Sequence, residues 1–442
     1  MKVIVIISVF LASLNLFSQN SLVPKQLSLD DCYELALKNN PEILLAKSQI
    51  PSNDAAITAA FGTFLPSVNY NLGYNRQLNS SSAYNIGGQT VFLPIGNPNS
   101  FNMGINASYV LFNGFEREAN FSKAKTLLES NDLNNNFTTK KVINEVYSRY
   151  MEVVRNIQII NLRKESIELS KKDLDKSKAQ FEAGVIPNTM IYTQEAEIGN
   201  KELELINAEN SYKISKSNLI TVLGLSPEQN VEFLESSIPS TITENDIQKY
   251  HNDLGNFNSL LQTALSKRLD YTSLKLSAQS KEYEIDIAKS NYFPTVSASG
   301  GWNWSNNEFN QFSDLGRSYV GLSLSVPIFD NFNTNYQIEN AKYQVSQSKI
   351  QLFQLEQSIK STLQNALLNL EAAEKQIEIA KRTAFASEKS YESTKERFNG
   401  GVATVSDYFL ATNQKINSQI NILTAVYNYY SAKKQLNFII GE

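Results

Sequence analysis

The stretch VYSRYMEVVRNIQIINLRKESIELSKKDLDKSKAQF, residues 146–181, decides the fold. Val146, Val153, Ile160, Ile167, Leu174 and Phe181 recur in it every seventh residue. A sustained seven-residue apolar repeat makes a helix that supercoils left-handedly against its neighbours. The pattern returns 217 residues later (146 to 363) as Leu363, Leu370, Ile377, Ala384, Tyr391 and Phe398. The enclosing segments, 113–183 and 330–400, hold no proline, and Gly114 is their only glycine before the closing turn. Nothing therefore breaks either helix early. At about 1.5 Å per residue, about 70 residues form a rod of roughly 105 Å, too long for an ordinary globular core.

A second seam changes character along the rod. Ile143, Tyr150 and Ile157 give way in the same register to Lys164, Lys171 and Lys178. In the second copy the register reads Lys360, Leu367, Glu374, Lys381, Glu388 and Lys395. Such charges form a solvated helix face, or they line water or meet a polar partner. On either reading the helices are not wrapped in apolar packing on all sides. A hollow wall suits them better than a solid bundle.

Outward from the rods, the flanking segments repeat as well. Gly184 stands where a helix C′ glycine belongs, and Pro187 can open a return helix. That helix carries Ile198, Leu205, Tyr212 and Leu219 at heptad spacing. Before the first rod, Ser28 and Asp31 open a shorter helix that falters at Asn39-Asn40-Pro41 and ends before Pro66. The period then switches to two. Val68, Tyr70, Leu72 and Tyr74 alternate with Asn69, Asn71, Gly73 and Asn75. After a polar stretch, Phe101, Met103, Ile105, Ala107, Tyr109 and Leu111 alternate with Asn102, Gly104, Asn106 and Ser108. The programme recurs with Val296, Ala298, Gly300, Trp302 and Trp304, then Val320, Leu322, Leu324 and Val326. Such a duplication predicts two equivalent halves. The expected division is a signal peptide at 1–19, a first repeat at 20–224, a polar connector at 225–255 and a second repeat at 256–442. The first repeat holds strands at about 67–76 and 101–112, a long helix at 113–183 and a return helix at 188–224. The second holds strands at about 295–305 and 318–329, a long helix at 330–400 and a return helix at 404–441.

Composition narrows the function. A net charge of −4 without a basic run gives no nucleic-acid signal. One cysteine, Cys32, excludes an internal disulfide or a thiolate metal cluster. One histidine, His251, excludes His-rich metal sites and reads as a surface residue in a polar linker. There is no Gly-rich phosphate loop and no nucleophile with a base, so neither enzyme activity nor a cofactor is expected. Lys2, the apolar run Val3–Phe17 and small polar Ser18-Gln19-Asn20 have the parts of a secretory signal peptide.

Strands of roughly 9–12 residues, apolar on one side and rich in Asn, Ser and Gly on the other, have the length and alternation of outer-membrane barrel strands. Tyr70, Tyr74, Tyr109, Trp302 and Trp304 suit interfacial aromatic girdles facing outer-membrane lipid. Four strands cannot close a barrel, and open edges are not tolerated in lipid. Copies of the chain must complete the sheet; two give 8 strands and three give 12.

Ser28-Leu-Asp-Asp-Cys-Tyr-Glu-Leu-Ala-Leu-Lys-Asn-Asn-Pro-Glu42 resembles the opening signature of the TolC-type outer-membrane efflux proteins. Tyr109-Val-Leu-Phe-Asn-Gly-Phe115 resembles their strand-to-helix junction, and Phe398-Asn-Gly-Gly-Val-Ala-Thr-Val-Ser-Asp-Tyr-Phe-Leu-Ala411 their helix tip. The resemblance spans about residues 25–440. It implies a mainly α fold with membrane β: a homotrimer with a 12-stranded β-barrel above a coiled-coil periplasmic barrel. It further implies an exit duct for efflux or type I secretion. The helix tips (Gly184, Val185, Gly401, Val402 and Thr404) would dock a periplasmic adaptor working with an inner-membrane RND or ABC-type pump. Asp407, six residues after Gly401, matches the family's pore-constricting aspartate. Met190 stands at the equivalent place in the first repeat, and Leu410 where some members carry a second acid, so the constriction holds one carboxylate ring. Independently of the pore, Asp407 sits at N3 behind Thr404 as N-cap, where an acid stabilises the helix. The alternatives, a periplasmic coiled-coil adaptor or a surface coiled-coil scaffold, leave the amphipathic strand pairs unexplained.

Overall fold

The structure is a computed structural model that describes residues 26–78, 81–94, 97–229, 231–235 and 241–442. The expected signal peptide lies outside the described residues. The chain forms two compact units, one of residues up to Leu45 with Thr138–Ala264 and Ser361–Glu442, the other of Ala46–Phe137 and Leu265–Lys360.

The largest apolar nucleus described in the first unit gathers its N-terminal elements. Strand β1 (Gln26–Leu27) leads into helix α1 (Leu29–Asn39), opened by a capping box in which Ser28 and Asp31 satisfy each other's backbone N–H groups. The helix stops at Asn39 and α2 (Pro41–Ser48) follows, because the residue before a proline is disfavoured in helical conformation. Asn40, between them, accepts from the N–H groups of Glu42 and Ile43 and donates to the Val222 carbonyl. Leu27, Cys32, Ala36 and Ile43 pack with Val146, Tyr150 and Val153, and with Leu219 and Leu223.

The connector departs from the sequence reading. It was expected to be polar, yet it carries strand β6 (Glu232–Phe233) and an amphipathic helix, and buries Val231, Phe233 and Ile242. Its strand pairs in parallel with β1, and Tyr150 donates to the Leu234 carbonyl at 2.6 Å. Two-residue strands have no periodicity to read, which is why the pairing escaped the pattern. The helix (Glu244–Asp253) begins with a second capping box, Thr243 with Asp246.

The second unit is organised by a four-stranded antiparallel sheet, in the order β2 (Ser67–Arg76), β5 (Asn99–Asn113), β7 (Thr295–Asn306), β8 (Arg317–Ser325). Strand β8 stops short of the expected 329, because Pro327 has no N–H to give a ladder. The stretch read only as polar, 77–100, holds a hairpin of β3 (Ser81–Ile86) and β4 (Gln89–Pro94). Its turn is Gly87-Gly88, both at positive φ, as a two-residue hairpin loop prefers. Helix α3 (Ile50–Gly62) precedes the sheet.

Helix α4 (Glu116–Glu182) and its return helix α5 (Asn188–Val222) answer, at the same offset, the later pair Asn333–Asn399 and Val405–Ile439. Both long helices start three residues later than expected. Gly114 and Phe115 in one repeat, and Asn331 and Phe332 in the other, lie in the left-handed region and cannot be helical. The intervening helices are α6 (Glu244–Asp253), α7 (Phe257–Lys267), α8 (Leu269–Ser290) and a single turn, α9 (Phe312–Leu315). The last two are α10 (Asn333–Asn399) and α11 (Val405–Ile439).

Candidate functional site

Register fixes the two faces of the sheet. Val68, Tyr70, Leu72 and Tyr74 lie opposite Ala107, Ile105, Met103 and Phe101. These continue to Gly300, Trp302, Trp304 and Asn306 on β7, and Val320, Leu322 and Leu324 complete the same face on β8. That face is exposed at its edges: Val320 is 92% accessible and Leu322 76%. The other face is amide and hydroxyl. Asn residues sit beside glycines across the ladder: Asn102 over Gly73, Asn303 over Gly104, and Asn106 over Gly301. A Cβ at any of the three glycines would strike the amide, so the glycines make room for it. Asn106 donates to Asn71 at 3.1 Å and accepts from the Tyr319 hydroxyl at 3.0 Å.

Five aromatics were expected to meet lipid. Tyr70 and Tyr74 are more than half exposed, while Tyr109 and Trp302 are half-buried. Trp304 departs from the expectation. Phe309 and Phe312 from the following loop fold over its ring at 5.6 and 4.5 Å, leaving it 2% accessible. The loop aromatics satisfy the same hydrophobic drive that was assigned to lipid.

The strand-to-helix junctions are matched. Phe112 meets Phe115 edge-on at 5.4 Å, and Phe329 meets Phe332 edge-on at 5.5 Å. In the first junction Arg117 donates to the carbonyls of Val110 and Leu111, holding a bulge in β5. Its guanidinium lies over the Phe64 and Tyr109 rings. Pattern reading passed over Arg117 because a single arginine in a first helical turn has no distinguishing period.

At the tips, Gly184 and Gly401 are at φ 75° and 74°, with the N–H groups of Val185 and Val402 reaching back to the carbonyls of Gln180 and Arg397. This is the Schellman arrangement expected of a C′ glycine. Val185 and Val402 are about 70% exposed at corresponding places. Thr404 caps α11: its hydroxyl accepts from the Asp407 N–H, while the Asp407 carboxylate accepts from the Thr404 hydroxyl (2.7 Å) and N–H. The Thr404 hydroxyl, then its backbone N–H, holds the exposed Asp407 carboxyl below its ordinary range. In the first repeat the matching N-cap, Pro187, offers no side-chain acceptor.

The lysine register finds its partner within its own hairpin. Lys164, Lys171 and Lys178 pair with Glu209, Glu202 and Glu195 of α5, each pair about half exposed. The seam behind them is mixed: Leu174, Ile191 and Ile198 pack together as a small apolar cluster, with buried polar side chains between them. Buried Lys201 donates to Ser170 Oγ and buried Gln194 to Ser177 Oγ, both at 2.8 Å. The two hairpins are tied by Tyr408 to Asp173 and by Asn413 to Glu197.

Over residues 32–225 and 260–442, the segments that hold the duplicated hairpins and amphipathic strands, the sequence matches the outer membrane efflux protein family. The chain belongs to the outer membrane efflux protein family. The two matched segments coincide with the two repeats. Among relatives of this efflux protein, outer membrane protein TolC of Vibrio cholerae is 22% identical over 422 residues, 94% of this chain and 90% of that one. Toxin and drug export protein A of Aggregatibacter actinomycetemcomitans is 23% identical over 92% of this chain and 85% of its own length. The crystal structure of the Campylobacter jejuni CmeC outer membrane channel shares the fold, with a TM-score of 0.77 at 18% identity, over 93% of this chain and 85% of that one. The family places this efflux protein in the bacterial outer membrane. No helix among its described residues is long and apolar enough to cross a membrane.

Proposed function

We propose that the chain is one protomer of a trimeric exit duct, passively conducting solutes or secreted proteins across the outer membrane. The observation that carries this reading is the four-stranded sheet, apolar on one face and amide-lined on the other, with the outer edges of β2 and β8 unpaired among the described residues. Open edges are not tolerated in lipid, so three copies joined edge to edge supply a closed 12-stranded wall. The apolar face then meets lipid and the amide face the lumen.

In this reading the exposed tips around Gly184, Val185, Gly401, Val402 and Thr404 dock a periplasmic adaptor, and an inner-membrane pump of the RND or ABC class supplies the energy. Asp407 contributes one carboxylate per protomer to a constriction at the entrance. The names of relatives such as toxin and drug export protein A fit an export role for this chain too. The test is fractionation of the expressing cell with unheated gel electrophoresis, followed by planar-bilayer recording of the purified protein. A heat-labile trimer in the outer membrane that forms ion-conducting pores is expected. A water-soluble monomer, or an inner-membrane product, would overturn the reading.

A further inference from the structure

Charge is almost absent from the sheet. Its four strands contain only Arg76 and Arg317, both at the strand ends next to the connecting loops. Alternation sends them to different faces. Arg76 is in step with Tyr74 and Leu72, on the apolar face. Arg317 is in step with Tyr319, whose hydroxyl reaches Asn106 across the amide face, and it stands opposite Asn303, whose amide covers Gly104. Arg317 is exposed and makes no ion pair among the described residues. The adjoining loop also carries two acids, Glu308 and Asp314, which accept from Asn310 and Ser313 and form no ion pair with Arg317 among the described residues. The other connecting segment, 77–98, contains no charged residue at all.

We propose that Arg317 is a selectivity residue: three copies form a cationic ring at the loop-side mouth of an otherwise neutral, amide-lined lumen, favouring anionic solutes there. The inference rests on the trimeric-duct reading, with the amide face turned inward. A guanidinium stays charged at any physiological pH, so the ring is permanent. Its field reaches about 10 Å at ~0.1 M salt and about 3 Å at ~1 M. The amide wall offers no carboxylate to neutralise it.

The experiment is planar-bilayer recording of the full-length protein, wild type against Arg317→Gln and Arg317→Lys, with zero-current potentials measured under a salt gradient. Inorganic tripolyphosphate added on the loop side serves as a polyanionic probe. Arg317→Gln is expected to shift the zero-current potential toward cation preference, more at low salt than at high, and to abolish block by tripolyphosphate. Arg317→Lys should retain both properties. Conducting pores whose potential and block are the same in wild type and Arg317→Gln would overturn the inference and leave the duct standing. Failure of the wild type to conduct would overturn the duct itself. If Arg317→Gln does not assemble, wild type and Arg317→Lys still decide: absence of low-salt tripolyphosphate block in both overturns the ring.

Discussion

Tyr408, at the start of α11, donates its hydroxyl to Asp173 of α4 at 2.8 Å while its ring lies flat on Phe398 of α10, 5.0 Å between centroids. One residue thus joins the two hairpins. Burial, then hydrogen bonding to Tyr391 and Asp173, raises the phenol far above its ordinary range, so it remains a donor wherever bacteria grow. Tyr408→Phe keeps the stacking and removes the bond, at a cost of about 1–3 kcal/mol to the tip. Faster amide exchange around residues 400–410 and a higher single-channel conductance are expected. Asp173→Ala, which removes the acceptor, should do the same, and the double variant should cost less than the sum. Unaltered exchange in both variants would mean the bond holds nothing shut.

Asp407 combines a structural and a conducting assignment, and two substitutions separate them. Thr404→Ala removes the cap and keeps the charge; Asp407→Asn removes the charge. Only the second should weaken cation preference and block by divalent ions in bilayer recordings. The folded-state carboxyl lies below its ordinary value of 3.8, so its contribution to the cap is complete above that value and fades as pH falls through the lower folded one. Selectivity and divalent block that survive Asp407→Asn would remove the constriction role.

The two faces of β8 make opposite demands. Val320, opposite Gly300 midway along the strand, is on the apolar face; Ser323, opposite Ser297, is on the amide face. A lysine at a lipid-facing position near the bilayer midplane costs about 2–4 kcal/mol. Val320→Lys should therefore reduce the heat-labile oligomer in outer-membrane fractions, whereas Ser323→Lys should leave it intact. Equal yields of the two variants would contradict the assignment of faces.

Lys201 is buried in the α4–α5 seam, with Ser170 Oγ as its only hydrogen-bond partner among the described residues. Burial lowers its pKa from 10.5, with nearby Glu197, Asp173 and Glu204 opposing the shift. A folded pKa below the unfolded one means the folded chain releases the proton first. Stability therefore rises with pH between the lowered value and 10.5, and below that window the buried charge counts against the fold. Lys201→Met should remove this alkaline gain and raise the thermal midpoint at neutral pH, read by circular dichroism in detergent. A lower midpoint would show that the lysine stabilises the hairpin.

The heptads and the 217-residue offset made the rods and return helices legible, and the period-two alternation the strand pairs, because a helix or strand with one buried face must repeat that face in its sequence. Ser28, Thr404 and the tip glycines were legible for a different reason: caps have few chemical solutions. What escaped depends on neighbours distant in sequence. Trp304 is covered by a loop that forms a shelf only once Phe309 and Phe312 turn back. The Lys164–Lys178 register left solvent and a polar partner open, and only the packing of α5 supplied the glutamates. The Gly87-Gly88 hairpin signal was present in a stretch read for polarity alone. Arg317 carries no motif; its meaning comes from register and from the absence of other charge around it.

The pairing of β1 with β6 has a consequence for how the chain is made. The nucleus it closes draws on the first repeat and the connector for all its buried members except Leu423 and Tyr427. An exported polypeptide emerges N-terminus first, so nearly the whole nucleus is available before the second half has crossed the inner membrane. Half of this protein can begin to shelter itself from periplasmic proteases while the rest is still in transit.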